Sequence, residues 1–124
     1  MYDKTLVTDG LLDIEEALVH IIDRTSWIKT ADDFATTPGG VDMLDVATIR
    51  LMAVGEEIRK IDKRTQGQLL VQYPNIDWVK ITDMRNFIAH EYFRVDAGTI
   101  FDTVQHDVQP LLTTIRQIIA DLEA

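Results

Sequence analysis

The chain contains no cysteine. That excludes a disulfide framework and a thiolate metal site. No apolar run approaches the roughly 20 residues that cross a bilayer. The first residues, Met1-Tyr2-Asp3-Lys4-Thr5, lack the charged-then-apolar-then-small layout of a signal peptide. A cytoplasmic protein without a membrane segment is the expectation. Basic residues are scarce: 12 Lys and Arg against 21 Asp and Glu leave a net charge of −9. That argues against generic nucleic-acid binding, which runs on phosphate neutralisation, but it leaves room for a local basic cleft on an acidic body. There is no Gly-rich phosphate loop, no zinc-ligand spacing and no supported Ser/His/Asp arrangement. His20 and His106 have no metal-ligand companions at usable spacing and read as surface or boundary histidines. Neither a metal nor a cofactor is implied.

What remains is 124 residues, 46% apolar and 27% charged, enough for one domain over 1–124 with a single core. The periodicity is helical throughout, with no sustained alternation of strand type. Leu11, Ile14, Leu18, Ile21 and Ile28 form one stripe, which predicts a first helix over about 9–29 with Thr8 or Asp9 as its cap. The polar segment Thr30–Gly40, ending in Pro38-Gly39-Gly40, reads as a loop. Leu44, Ala47, Leu51, Val54, Ile58 and Ile61 predict a second helix over about 41–64. Gly55 sits in its middle, where glycine costs about 1 kcal/mol relative to alanine; it reads as a point of close helix–helix approach, with a tolerated defect as the alternative. Gln66-Gly67 and Tyr73-Pro74-Asn75 turn the chain, with a short helical stretch possible near Leu69–Gln72. A third helix runs from Asp77 or Trp78 to Phe93, and Asp96-Ala97-Gly98-Thr99 breaks it. A last helix carries Ile100, Val104, Val108, Leu111, Ile115, Ile118 and Leu122, with Pro110 expected to kink it. The predicted fold is all-α: an up-and-down bundle of four main helices with room for one short extra helix.

The third helix holds the pattern Arg85-Asn86-Phe87-Ile88-Ala89-His90-Glu91-Tyr92, that is, R-x4-H-x-Y. On a wheel at about 100° per residue, with Arg85 at zero, Trp78, Ile81, Met84, Ile88 and Tyr92 share one broad core-facing side. Arg85 lies at its edge, where a buried charge needs a carboxylate or a wet cleft. Val79, Phe87, His90 and Phe93 form a second side, so this helix is apolar on two faces and wants a partner on the outer one. Arg85 and His90 stand about 140° apart, whereas Asn86 and His90 share a face. A one-chain Arg–His site therefore needs a bend or a helix end near His90; a two-fold dimer with facing motifs is the simpler account.

These residue types suit cleavage of RNA. Histidine titrates near neutrality and can move a proton. The arginine fork matches phosphate oxygens, and RNA brings its own nucleophile in the 2′-OH. No metal is required. Two histidines across a dimer could serve as base and acid, with the Arg85 pair stabilising charge on the phosphate and Asn86 orienting His90 or touching substrate. Taken alone, Arg-x4-His on a helix is a weak signal. Arg85 could instead pair with a core-edge carboxylate such as Glu56, His90 could be a satisfied interface histidine, and Tyr92 a packing residue. Arg59, Lys60, Lys63 and Arg64 place four of the twelve basic residues within six positions. They read either as a solvated helix end or as part of an RNA or partner surface.

Several short motifs, in order, resemble the HEPN superfamily, specifically its HepT-like (DUF86) group of small prokaryotic toxins. Val54-Gly55-Glu56-Glu57 is similar to the group's Gly-Glu motif, and Pro74-Asn75-Ile76-Asp77-Trp78 to its approach to the catalytic helix. Met84-Arg85-Asn86 through His90-Glu91-Tyr92, followed by Val95-Asp96, matches its centre. The resemblance covers most of the chain and is best from residue 44 onward. It implies a helical homodimer with a composite ribonuclease site in which Arg85 and His90 act and Asn86 assists. It also implies a type VII-like toxin–antitoxin pairing, in which an MNT-type nucleotidyltransferase antitoxin silences the toxin by transferring AMP to Tyr92. The alternative is a non-catalytic helical dimer that holds a nucleotidyltransferase or a nucleotide. A plain structural bundle does not account for the motif and the second apolar face together.

Overall fold

A computed structural model describes residues 2–124; Met1 lies outside the described residues. Helix α1 spans Lys4–Arg24. It begins about five residues before the predicted start because the Asp3 carboxylate accepts from the backbone N–H of Thr5 (2.9 Å) and Leu6 (3.2 Å). Val7 and Gly10 are buried and extend the apolar stripe back to that cap. The helix also ends earlier than predicted: the Thr25 hydroxyl donates to the Ile21 carbonyl at 2.6 Å. Ile28 is buried all the same, beyond the helix.

The segment predicted as a loop holds a short helix, α2 (Ala31–Thr36), secured by a reciprocal capping box between Thr30 and Asp33. Its Phe34 is fully buried and meets Phe101 edge-on, 6.4 Å between ring centres. Helix α3 (Pro38–Arg64) follows at once, with Thr37 as cap and Pro38 at its first position. The Pro-Gly-Gly run is thus the first turn of a helix and not a loop. Gly40 is there for space: a side chain would run into the Asp33 carbonyl.

Gln66 and Gly67, with φ of 53° and 72°, reverse the chain into a 3-10 turn at Leu70–Gln72. Helix α4 (Trp78–His90) stops three residues short of the predicted Phe93, and Tyr92–Arg94 form a separate 3-10 turn. The predicted last helix is two helices, α5 (Ala97–His106) and α6 (Val108–Glu123). The break falls at Asp107, three residues ahead of Pro110. That puts the proline in the first turn of α6, where its missing N–H costs nothing, so it marks a helix start and not a kink.

Helix α3 is the central element, packed against α1, α2, α4 and α5, while α1 packs on α6. Leu11, Ile14, Leu18 and Ile21 of α1 meet Val54, Ile58 and Ile61 of α3 and Ile115 and Ile118 of α6 in one buried cluster. The described residues contain no strand, and the all-α bundle is as predicted. None of these helices is long and apolar enough to cross a membrane. Helix α4 lies on the outside of the bundle: Ile88 alone of its residues is fully buried, with Trp78, Ile81 and Met84 partly so.

Candidate active site

The start of α4 is tied down before the site begins. Asp77 caps the helix, accepting from the Lys80 N–H at 3.0 Å. The Trp78 indole donates to the Tyr73 carbonyl at 3.0 Å, closing the loop that carries Pro74. Asn75 donates to the Thr114 hydroxyl at 2.9 Å and the Tyr73 phenol to Asp121 at 2.6 Å, so two side chains fasten this loop to α6. Partial burial, then the bond to Asp121 and that carboxylate's charge, push the Tyr73 phenol up to about 12. Lys80 reaches Asp107 at 2.9 Å, which raises the ammonium's pKa and joins α4 to the α5–α6 break.

One turn and a half further on, α4 comes against Gly55 of α3. A Cβ at position 55 would stand 2.5 Å from Arg85 Cβ, 3.2 Å from Arg85 Cγ and 3.2 Å from the Ile81 carbonyl. The glycine is there for close helix approach, and Arg85 is the residue pressed into the space. Its guanidinium Nη2 lies 2.7 Å from Glu56 Oε2, and its Nη1 donates to Asn86 Oδ1 at 3.0 Å. The Glu56 contact is close but off the N–H axis. Glu56 Oε2 therefore makes a charge pair without an aligned hydrogen bond, and Arg85 Nε is buried with no acceptor among the described residues. The Arg85 side chain is 22% exposed, so this pair is less screened than a surface one.

The bond to Asn86 bears on the wheel argument. Arg85 and His90 leave the helix about 140° apart, but Asn86 leaves it only about 40° from His90. The bond to Asn86 links the guanidinium to a residue that shares a face with His90. His90 is the last residue of α4 and is exposed, so the helix ends where a one-chain Arg–His site would need it to, and not at the predicted Phe93. No hydrogen bond or ion pair joins it to Arg85 among the described residues. Arg85 pairs with Glu56, as one reading of the sequence allowed.

Tyr92 differs from its predicted place. The helix has ended, so it does not extend the core-facing stripe. Its ring meets Phe93 edge-on, 5.8 Å between centres, and its hydroxyl donates to Asp45 Oδ1 at 3.5 Å, the long limit of such a bond. Leu44, Asp45, Thr48 and Val95 surround it. Asp45 and Glu56 are eleven residues apart on α3, about 16 Å along the helix, so the phenol and the guanidinium mark two ends of one strip of α3. Nothing in the sequence pointed to Asp45, which lies 47 positions from Tyr92. The outer face of α4 is open as the wheel required: Val79 is 67% exposed and Phe93, just past the helix, 99%.

A family model described as "Ribonuclease HepT-like" matches residues 14–118. The chain belongs to the HepT-like family. Among its relatives, "Putative RNase MJ0127" of Methanocaldococcus jannaschii is 29% identical over 114 residues, 91% of this chain and 87% of that protein. "Putative RNase MJ0125" of the same organism is 33% identical over 78 residues, 62% of this chain and 64% of the relative. "Gamma-glutamylcyclotransferase and putative RNase MJ0434", also from that organism, is 27% identical over 117 residues. The match takes in 90% of this chain but half of that protein's length. No solved structure matches the chain. The family and the relatives' names support a ribonuclease. In this HepT-like chain, Gly55 and Glu56 seat Arg85, and the loop from Tyr73 to Asp77 fastens the helix that carries Arg85, Asn86 and His90.

Proposed function

We propose that this protein is a metal-independent endoribonuclease toxin whose site is completed by a second copy of the chain. One observation carries the reading: Arg85 and Asn86 are held as a hydrogen-bonded pair on the same helix that ends in an exposed His90 beside an uncovered apolar face. In a two-fold dimer formed through Val79, Phe87 and Phe93, the ends of two α4 helices face each other across one cleft. The neutral His90 of one chain takes the 2′-OH proton. The 2′-oxygen attacks phosphorus, and the bond from phosphorus to the 5′-oxygen breaks. The second His90, protonated, delivers its proton to that leaving oxygen. The products are a 2′,3′-cyclic phosphate and a free 5′-OH. The Arg85 pair stabilises charge on the phosphate oxygens, and Asn86 holds each guanidinium toward the cleft.

The same reading assigns the protein to the cytoplasm, in a type VII-like pair with an MNT-type nucleotidyltransferase antitoxin. That partner transfers AMP from ATP to the Tyr92 oxygen, releasing pyrophosphate. Tyr92 is exposed enough to accept the group, and the added anion stands where the chain leaves α4, next to His90, where charge and bulk oppose an incoming RNA phosphate.

The alternative, a non-catalytic dimer that binds a nucleotidyltransferase or a nucleotide, draws support from the Glu56 carboxylate already paired with Arg85 and from the −9 charge. Incubation with single-stranded RNA in EDTA separates the two. The wild-type protein is expected to cut and to leave cyclic phosphate ends. Arg85→Ala and His90→Ala should each lose about 10²–10⁴-fold in rate while keeping the helical circular dichroism spectrum. Activity retained by His90→Ala, or lost on chelation, would refute this mechanism.

A further inference from the structure

We propose that Asp45 of α3 is the proton acceptor that activates Tyr92 for nucleotidyl transfer, a catalytic carboxylate supplied by the chain that is modified. The proposal rests on the reading of Tyr92 as the acceptor of AMP and goes beyond it by assigning the group that takes the phenol's proton. Tyr92 lies in the 3-10 turn after α4, and its hydroxyl donates to Asp45 Oδ1 at 3.5 Å. Asp45 enters no ion pair among the described residues, so no cation neutralises its charge.

A second phenol–carboxylate pair in the same chain shows what a structural one looks like. Tyr73 donates to Asp121 at 2.6 Å, Gln117 binds the other Asp121 oxygen at 2.7 Å, and the phenol is pushed up to about 12, so its proton is held and its oxygen is a poor nucleophile. The Asp45 pair differs in each respect. Its bond is at the long limit, Tyr92 is 43% exposed, and Asp45 is exposed with no partner on its second oxygen among the described residues. A loose contact of this kind leaves room for an incoming phosphorus and tightens as the phenol attacks. Phe93 steadies the ring edge-on, 5.8 Å between centres. Val79 and Phe87 leave α4 about 120° and 160° from Arg85, the residue that meets α3, so a second copy laid over them leaves Asp45 uncovered. In the reaction the Tyr92 oxygen attacks the α-phosphorus of ATP, the bond from that phosphorus to the bridging oxygen breaks, pyrophosphate leaves, and the phenol proton passes to Asp45 Oδ1. A phenol is only about one-thousandth ionised at pH 7, so a carboxylate within reach removes the dependence on that small fraction. The product has no proton to donate and carries a new negative charge beside Asp45, so repulsion replaces the bond and frees the modified side chain.

The test follows the rate of AMP incorporation at Tyr92 by peptide mass, with the cognate nucleotidyltransferase and ATP, from about pH 7 to 9. Asp45→Asn keeps the shape and an acceptor oxygen but is a far weaker base. It should slow transfer about 10²-fold at pH 7, the low end for a positioned base. Without that base the phenol reacts through its ionised form, which grows about tenfold per pH unit below about 10, so the gap to wild type should close by about pH 9. The ratio of variant to wild type cancels the pH dependence of the transferase itself. The other charged groups near the pair are Asp42, one turn earlier on α3, and Glu91 with Arg94 in the turn. Asp42→Asn is therefore the charge control and should keep the wild-type rate and pH profile. Transfer to Asp45→Asn at the wild-type rate overturns the role of Asp45 and leaves the AMP reading standing. A gap that stays constant with pH, the mark of a structural role, or an equal loss in Asp42→Asn does the same. A wild-type protein that gains no adduct on Tyr92 sinks the AMP reading and the role of Asp45 with it.

Discussion

Replacing Gly55 by alanine sets two effects of opposite sign against each other, and the structure decides between them. In an open helix the change stabilises by about 0.8–1.0 kcal/mol through propensity. Here the new Cβ would stand 2.5 Å from Arg85 Cβ and 3.2 Å from the Ile81 carbonyl. Carbon atoms prefer about 3.5–4.0 Å, so the closer contact falls short by about 1–1.5 Å. Neither neighbour can swing aside: one is the root of a side chain and the other is backbone. Helix α4 must move off α3 by on the order of 1 Å, and overpacking of this kind costs about 1–3 kcal/mol. The two terms leave a net loss of roughly 0–2 kcal/mol. The chemistry should suffer more than the stability, since the displaced residue is Arg85 itself and a misplacement of about 1 Å can cost about 10²-fold in rate. Urea denaturation followed by circular dichroism, beside an RNA cleavage assay, measures both. A Gly55→Ala protein that is about 1 kcal/mol more stable and fully active would show that the close approach of α3 and α4 does not exist.

Val79→Glu or Phe87→Glu should shift the protein toward monomer in light scattering, because each buries an unpaired charge at the proposed dimer face; a wild type already monomeric at micromolar concentration sinks the dimer and the composite site with it. Tyr92→Phe should cut RNA normally yet escape silencing by a cognate nucleotidyltransferase with ATP. Peptide mass measurement decides it: an AMP adduct on another residue would make Tyr92 a packing residue only. The Tyr73–Asp121 bond sets a pH window. The raised Tyr73 pKa makes its contribution whole below the free phenol value of 10.0 and lost as pH climbs through about 12. Asp121 is lowered from 3.8 by its bonds to Tyr73 and Gln117, so its contribution holds above that value and fades below it. The gap in denaturation midpoint between wild type and Tyr73→Phe should stay level from about pH 5 to 9 and close at both extremes; a gap that widens above pH 10 contradicts the assignment.

The long helices were legible because their apolar stripes are unbroken: the run from Leu44 to Ile61 marks α3, and the role of Gly55 followed from its place in that run. What the stripes hide is punctuation. Val104, Val108 and Leu111 keep helical spacing straight across Asp107, so periodicity alone joins α5 to α6, and Pro110 signals the break three residues late. Helix α2 is too short to show a period. Its signal was the capping box Thr30-x-x-Asp33, which is local chemistry and not pattern. The end of α4 at His90 was masked because Tyr92 and Phe93 continue its apolar count while turning away from its axis. At the site, the pairing of Arg85 with Glu56 could be read from the need to satisfy a cation at a core edge, whereas its bond to Asn86 could not, because neighbours in sequence leave the helix about 100° apart. The contact between Tyr92 and Asp45 depends on how the turn after α4 lies against α3, which no single-helix wheel contains.

Ile88 is the one side chain of α4 that is wholly buried, whereas α1 and α3 each bury seven or more residues. Local opening of α4 therefore disrupts far less buried surface than opening α1 or α3, and its amides should exchange with deuterated solvent well before theirs. A second chain laid over the outer face of α4 would close that difference. The helix carrying the proposed chemistry would then draw much of its rigidity from the partner. Dilution below the dissociation point would raise amide exchange in α4 alone and switch the site off while the rest of the bundle remains protected.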